Sequence, residues 1–389
     1  MRLNFADQLN ALSVEWLAML QCANPQVTTD GLNEVFRKPL DWTRLLRLAE
    51  EQGVLPLVTK RLGELDEGTV PTEIRRELRD AARAQTLFTL SLTAELFRVL
   101  ARFAALGIEV LLTKGPVLSA RCYGDPGLRQ YTDLDLVLRD ADIERATETM
   151  IALGYDPKVS LKAIQARKIP GEYVFSQRGT NLLVELHTER TFRYHPRPLS
   201  VEKLFQRRAR VRFDGRDVPA LSTEDELILI CIHGAKHFWE RLMWIADVAA
   251  LVSQQPVDWE TATSAVREVR AERMLRVGLL LARNLTGASL PGKVVDEIGS
   301  DAPAVRIAAR IARRLPVVDD EPFGLLERAA FRIRMRGGFP PGVAYLWRLS
   351  VSPTEEDWVA GAEEKRAGML DAISRPFRLA RKYGRSGKG

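Results

Sequence analysis

The chain has 389 residues, 46% of them apolar and 28% charged. That is the make-up of a folded globular protein with room for two or three structural units, and it excludes a disordered or low-complexity chain. Its 57 Lys and Arg residues are nearly balanced by 51 Asp and Glu, leaving a net charge of +6, which favours an anionic ligand without requiring nucleic acid as the partner.

Cys22, Cys122 and Cys231 are scattered without CxxC spacing. A disulfide framework and a cysteine zinc site are therefore not expected, and a reducing cytoplasm is the simplest setting. The first residues, Met1–Gln8, show no apolar run of signal-peptide type. No apolar window of about 18 residues occurs either, so no membrane span is expected.

Residues 1–106 read as a helical region. Leu9, Leu12, Trp16 and Leu20 form one amphipathic stripe. Asp41 is placed to cap a second helix from Trp42, which Val54-Leu55-Pro56 interrupts. Pro71-Thr72-Glu73 opens a long helix ended by Gly107. Along it Leu87, Leu90, Ala94, Phe97, Ala101 and Ala104 recur at spacings of three and four, the stripe expected to face the core. No catalytic constellation lies here, and the region reads as a packing scaffold.

Residues 107–220 carry the chemistry. Ile108–Thr113 reads as a strand, Lys114-Gly115-Pro116 as the turn after it, and a short helix follows through Ala120. Gly115, Gly124 and Gly127 allow close backbone approach to a phosphate, and Lys114 and Arg129 supply positive charge. Tyr123 reads as a packing residue. In the strand Asp133-Leu134-Asp135-Leu136-Val137 the two carboxylates project to one face while the leucines project into the core. Two adjacent carboxylates repel unless a cation sits between them or one stays protonated. Hard oxygen ligands suit Mg²⁺ or Mn²⁺, which often bring a nucleotide's phosphates with them. A solvated strand face with two acids is the plain alternative.

Asp140 and Asp142 read as helix-start acids of a helix that Gly154-Tyr155 ends. Asn181–His187 alternates again, with Leu183, Glu185 and His187 on one face and Leu182, Val184 and Leu186 on the other. Glu185 is suited to metal ligation or to general-base work on an acceptor hydroxyl. His187 either orients Glu185, contacts phosphate, or is an ordinary polar strand residue. Glu172 and Glu189 are nearby acids. Between Arg207 and Arg216, Asp214-Gly215 marks a hairpin turn. Its arginines serve either a polyanionic acceptor or a protected sheet edge.

Ser222 caps the next helix, with Asp225 three residues on, and the helical pattern continues to Asp247. His233, Lys236 and His237 share one face of it. The Glu that follows the first His in zinc-protease motifs is Gly234 here, which argues against zinc. Facing the sheet, Lys236 and Arg241 would steady a triphosphate, or Asp247 would pair with one of them and make them structural. Residues 221–320 read as a helical bundle. Residues 321–389 read as a mixed helical extension, broken at Gly337–Pro341 and closed by a disordered basic tail, Arg381–Gly389.

The segments Leu112-Thr113-Lys114-Gly115, Tyr123–Arg129, Asp133–Val137 and Gly154-Tyr155, with the later pattern His233-x-x-x-His237…Arg241-Leu242-x-Trp244-x-x-Asp247, resemble the uncharacterised nucleotidyltransferase family. That family belongs to the DNA polymerase β-like nucleotidyltransferase superfamily. The resemblance implies an α+β fold, a small mixed sheet flanked by N-terminal and C-terminal helical regions. It implies Mg²⁺- or Mn²⁺-dependent transfer of an NMP group from an NTP to an acceptor (a small molecule, a protein or an RNA end) with release of pyrophosphate. Asp133, Asp135 and Glu185 would be the catalytic, metal-binding acids. Lys114, Gly115, Arg129, His187, Lys236 and Arg241 would contact nucleotide and phosphate. Lys-Gly-Pro replaces the Gly-Ser usual in the superfamily, although the Lys-Gly form is usual in this family. The loop Cys122–Tyr131 is longer than the superfamily norm and reads as an insertion. A non-catalytic nucleotide-binding scaffold and a metal-dependent phosphohydrolase or phosphotransferase are the alternatives.

Overall fold

The computed structural model describes residues 12–161, 164, 171–180, 182–188, 200–317 and 324–351. Leu9, Asn181, Glu189 and the basic tail Arg381–Gly389 lie outside the described residues. Helices α1 (Val14–Cys22), α2 (Thr29–Phe36), α3 (Trp42–Glu51) and α4 (Leu55–Gly63) precede the 34-residue α5 (Thr72–Ala105). Ser13, Thr28 and Asp41 cap the first three by accepting a backbone N–H of the opening turn, which would otherwise lack a partner. Pro56 opens α4, where its missing N–H costs nothing.

The sheet segment follows: β1 (Val110–Thr113), α6 (Gly115–Tyr123), β2 (Asp133–Leu138), α7 (Ile143–Ala152), β3 (Tyr155–Pro157), β4 (Glu172–Gln177), β5 (Leu183–His187), α8 (Val201–Gln206), β6 (Ala209–Phe213) and β7 (Arg216–Ala220). Asp140–Asp142 form a short 3₁₀ turn leading into α7. Asp214 and Gly215, both at positive φ, make the tight turn between β6 and β7. The last helices are α9 (Thr223–Lys236), α10 (Leu242–Gln254), α11 (Trp259–Glu268), α12 (Glu272–Thr286), α13 (Gly292–Ser300), α14 (Ala302–Arg314), α15 (Leu325–Met335) and α16 (Phe339–Val351). Among the described residues, no helix is long and apolar enough to cross a membrane.

The strands form one seven-stranded mixed sheet in the order β3-β4-β5-β2-β1-β7-β6. The β2–β5 and β1–β7 pairs are parallel and the others antiparallel. Alternation divides the sheet into two unlike faces. Leu112, Leu134, Leu136, Val184 and Leu186 pack with Leu96, Val99 and Phe103 of α5 and Met150 of α7. From the other face, Leu111 and Val137 join a core shared by α1–α4 and α9–α15. The carboxylates project from this second face.

Two expectations are overturned. The stripe Leu87, Leu90, Ala94, Ala101 and Ala104 is the solvent side of α5: Leu87 is 69% and Leu90 57% exposed. Phe97 is half-buried, against Phe213 and under the Arg216 guanidinium. The buried stripe is Leu92, Leu96, Val99 and Phe103, which has the same three-and-four spacing but adds the larger side chains that fill the space above the sheet.

The helix expected through Asp247 is two helices. Phe238 and Trp239 take positive φ, and the Trp239 N–H returns to the Gly234 carbonyl at 2.8 Å. The fully buried Trp239 ring then lies flat against Gly234, where a Cβ would stand 2.6 Å from it. Gly234→Ala should therefore destabilise the fold by about 2 kcal/mol in a urea titration. The overpacking term of about 1–3 kcal/mol outweighs the ~1 kcal/mol that Ala gains in a helix. An Ala variant as stable as wild type would show that the ring moves freely.

Candidate active site

The register of β2 against β5 builds the site. Asp135 stands opposite Glu185, and Val137 opposite His187. Anchored by their leucine and valine neighbours in the core behind, Asp133, Asp135, Glu185 and His187 can only project forward. On the other side of β2, Thr113 of β1 is the partner of Asp135, so Lys114, the next residue, begins level with the carboxylates.

Lys114 Nζ donates to Asp135 Oδ1 at 2.8 Å. His187 Nε2 lies 2.8 Å from the same oxygen and 3.5 Å from Glu185 Oε2. Asp135, Glu185 and His187 each offer a ligand atom, and these atoms lie within 4.8 Å of one another. Asp133 shares their face at the start of the strand but stands outside that trio.

The electrostatics follow from burial and crowding. Burial opposes ionisation of Asp135, but the Lys114 ammonium and His187 outweigh it and hold this carboxyl well below the usual range. Glu185 gains no comparable partner: burial, then the Asp135 charge, pushes it up to about 7. Burial and Asp135 likewise raise Asp133. Burial works against the charge on Lys114, yet Asp135, Glu185 and Asp133 keep it protonated. Burial also opposes protonation of His187, and its bond to Asp135 reverses that, raising it. Carboxylates that repel one another, partly neutralised by an ammonium and joined by an imidazole, are a donor set that fits a divalent cation.

Lys114 has φ 50° and ψ −146°, a conformation that glycine adopts far more readily. Gly115 follows at φ 47° and opens α6. Glu226, buried in the first turns of α9, accepts the Lys114 N–H at 2.9 Å and the Thr113 hydroxyl at 3.1 Å. Burial, only partly offset by Arg121 and the Lys114 N–H, raises the Glu226 carboxyl. In the sequence Glu226 is one of three consecutive helix-start acids, Glu224-Asp225-Glu226. Nothing local links it to a loop 112 residues earlier.

Arg129 is buried, and its Nε donates to Asp247 Oδ2 at 2.8 Å. The Tyr123 hydroxyl donates to Asp247 Oδ1 at 3.0 Å. Asp247 therefore pairs with Arg129 and Tyr123, not with Lys236 or Arg241, because α10 presents it to the inside of the 122–131 loop. Tyr131 secures that loop further through the Pro126 carbonyl at 2.9 Å. Lys236 ends α9 and Arg241 precedes α10, one half-buried and the other exposed. Between them His237 packs on His233 at 4.6 Å and on Trp244 at 5.2 Å, ring centre to ring centre. Burial and then the Lys114 ammonium hold His233 well below its ordinary range. Burial and then Lys236 push His237 down to about 4.

Fold and site together define a mixed α/β protein whose central strands carry an acidic face competent to hold a cation. More specifically, the chain belongs to the uncharacterised nucleotidyltransferase family, whose sequence model matches residues 38–287. A solved structure described as an antigenic nucleotidyltransferase-like protein from Paracoccidioides brasiliensis is similar at 16% identity and a TM-score of 0.31, covering 55% of this chain and 96% of its own. No curated protein matches the chain.

Asp247→Asn should destabilise the fold by about 3–5 kcal/mol, because it leaves Arg129 buried without its counter-charge; a loss under ~1 kcal/mol in denaturant melts would contradict this. The Glu185 shift sets a pH dependence as well. From its ordinary 4.5 to about 7 the folded apo protein holds a proton that the unfolded chain has released. Its contribution to apo stability is therefore lost as pH rises through about 7. A divalent cation favours the ionised form, so millimolar Mn²⁺ should raise Tm more at pH 8 than at pH 6. An equal rise at both would dissociate Glu185 from the cation.

Proposed function

We propose that the chain is a metal-dependent nucleotidyltransferase that moves an NMP group from an NTP to an acceptor hydroxyl, of a small molecule, a protein or an RNA end, with release of pyrophosphate. The observation that carries this reading is the convergence of Asp135, Glu185 and His187 with Lys114 at the mouth of a helix-opening turn. Asp133, Asp135 and Glu185, with His187 beside them, would hold Mg²⁺ or Mn²⁺. Once bound, the cation would neutralise charge on the phosphates and at the α-phosphorus.

The chain's own residues divide the remaining work. Lys114 and Gly115 meet the phosphates at the start of α6. Lys236 and Arg241 approach from the helical side and steady the triphosphate. Glu185, kept ionised by a bound cation, would take the proton of the acceptor hydroxyl. Arg129, tied to Asp247, acts by holding the 122–131 loop. Three free, buried thiols, Cys22, Cys122 and Cys231, accord with work in the cytoplasm.

A non-catalytic nucleotide-binding protein is the second reading. It is favoured by one feature: Lys114 and His187 both bond to Asp135 and offset its charge. Calorimetric titration with ATP, GTP, CTP and UTP, with and without Mg²⁺, separates the possibilities. Mg²⁺-dependent binding of at least one NTP is expected, weakened at least ~10-fold in Asp133→Asn/Asp135→Asn. Label at the α-phosphorus should pass to the acceptor. Transfer or release of γ-label alone would instead mean a phosphotransferase or hydrolase. Binding that the double variant retains would remove the carboxylates from the nucleotide site.

A further inference from the structure

One oxygen of this site is contested. Asp135 Oδ1 already receives Lys114 Nζ at 2.8 Å and His187 Nε2 at 2.8 Å. A divalent cation held by Asp133, Asp135 and Glu185, with His187 beside them, draws on the same carboxylate. The ammonium and the incoming cation would then sit within a few ångströms of each other at a partly buried site. Like charges at that range, shielded from bulk water, repel strongly.

The surroundings decide which part of Lys114 gives way. Its N–H is held by Glu226 at 2.9 Å, and its carbonyl accepts the Leu118 N–H at 3.0 Å. The preceding Thr113 hydroxyl is held by the same Glu226 carboxylate at 3.1 Å. The main chain is thus pinned on both sides of a positive-φ residue, while the four-carbon stem keeps its rotatable bonds. Swung off Asp135, the ammonium pivots from the first residues of α6, where a polyphosphate would lie.

We infer that the Lys114 ammonium is the resident counter-ion of the carboxylate cluster and exchanges onto the nucleotide's phosphates when a divalent cation enters, so that metal and nucleotide bind as a coupled pair. This rests on the nucleotidyltransferase reading and adds an order to it. Metal without nucleotide has to expel an ammonium with no new partner. Metal with nucleotide hands that ammonium an anion. By linkage, each ligand then strengthens the other.

The test compares wild type with Lys114→Met, which keeps the stem and loses the charge, and Lys114→Arg, which keeps the charge. Folding of each variant is checked by circular dichroism, and Lys114→Gln replaces the Met variant if that does not fold. Mn²⁺ is titrated alone and free Mn²⁺ is read by electron paramagnetic resonance. Mg²⁺·NTP is titrated separately by calorimetry. The exchange predicts opposite signs: Lys114→Met binds Mn²⁺ alone at least ~10-fold more tightly than wild type, yet binds Mg²⁺·NTP at least ~10-fold more weakly. Lys114→Arg stays near wild type in the first titration.

A purely structural ion pair would weaken both affinities or neither, and either result overturns the exchange. Asp135→Asn separates this failure from failure of the underlying reading. If wild type binds Mn²⁺, Asp135→Asn abolishes it and Lys114→Met leaves it unchanged, the metal site stands and the exchange is wrong. If neither wild type nor Lys114→Met binds Mn²⁺, with or without NTP, the carboxylates hold no cation and both are wrong.

Discussion

The repulsion between Asp135 and Glu185 is the constraint around which this protein is arranged. The parallel register of β2 and β5 sets them opposite each other. The leucines and valines on the reverse face hold both strands in the core and forbid either from turning away. Shifting the register by one residue would relieve the repulsion, but it would drive the carboxylates into α5 and expose the apolar set. The folded chain therefore carries a charge conflict that the hydrophobic core enforces. A lysine, a histidine and protonation contain it.

Around that conflict lie two further buried carboxylates that touch none of the trio. Glu226 holds the loop that aims Lys114, and Asp247 holds Arg129 and Tyr123. Each comes from the helical half and reaches into the sheet half. Buried carboxyl groups of this kind are costly unless they meet hydrogen-bond donors. Both find theirs on segments that must be positioned: the turn into α6 and the 122–131 loop. The core common to α1–α4 and the later helices backs this arrangement and keeps α9 and α10 over the sheet.

Much of this was legible in the sequence, for a physical reason. Period-two alternation marks Asp133 and Asp135, and again Glu185 and His187, because a strand with one apolar face has no other pattern available. Ser222, Asp41 and Pro71 announce helix starts through chemistry confined to one turn. What could not be read depends on residues far apart in the chain. The pairing of Asp135 with Glu185 spans fifty positions, and that of Arg129 with Asp247 spans 118. On α5 two stripes share one spacing, and only the bulk of the sheet side chains decides between them. The break after Lys236 falls at Phe238 and Trp239, neither of them a glycine or proline, so no local signal marks it. Tyr173 and Phe175 in β4 do alternate inward, but the strand's place beside β5 follows from pairing and not from composition.

The strand order has a dynamic consequence. β5, β2 and β1 lie inside the sheet with partners on both sides, while β3 and β6 form its edges. Local opening starts where backbone groups have a free side and few buried neighbours, and reaches interior strands only near the free energy of global unfolding. The acids are thus mounted on the segments slowest to fray, so breathing of the protein at its rims leaves their spacing intact. Whatever adjustment ligands require falls to the long side chains, Lys114 first among them, which change rotamer on a faster timescale without loosening the platform beneath them.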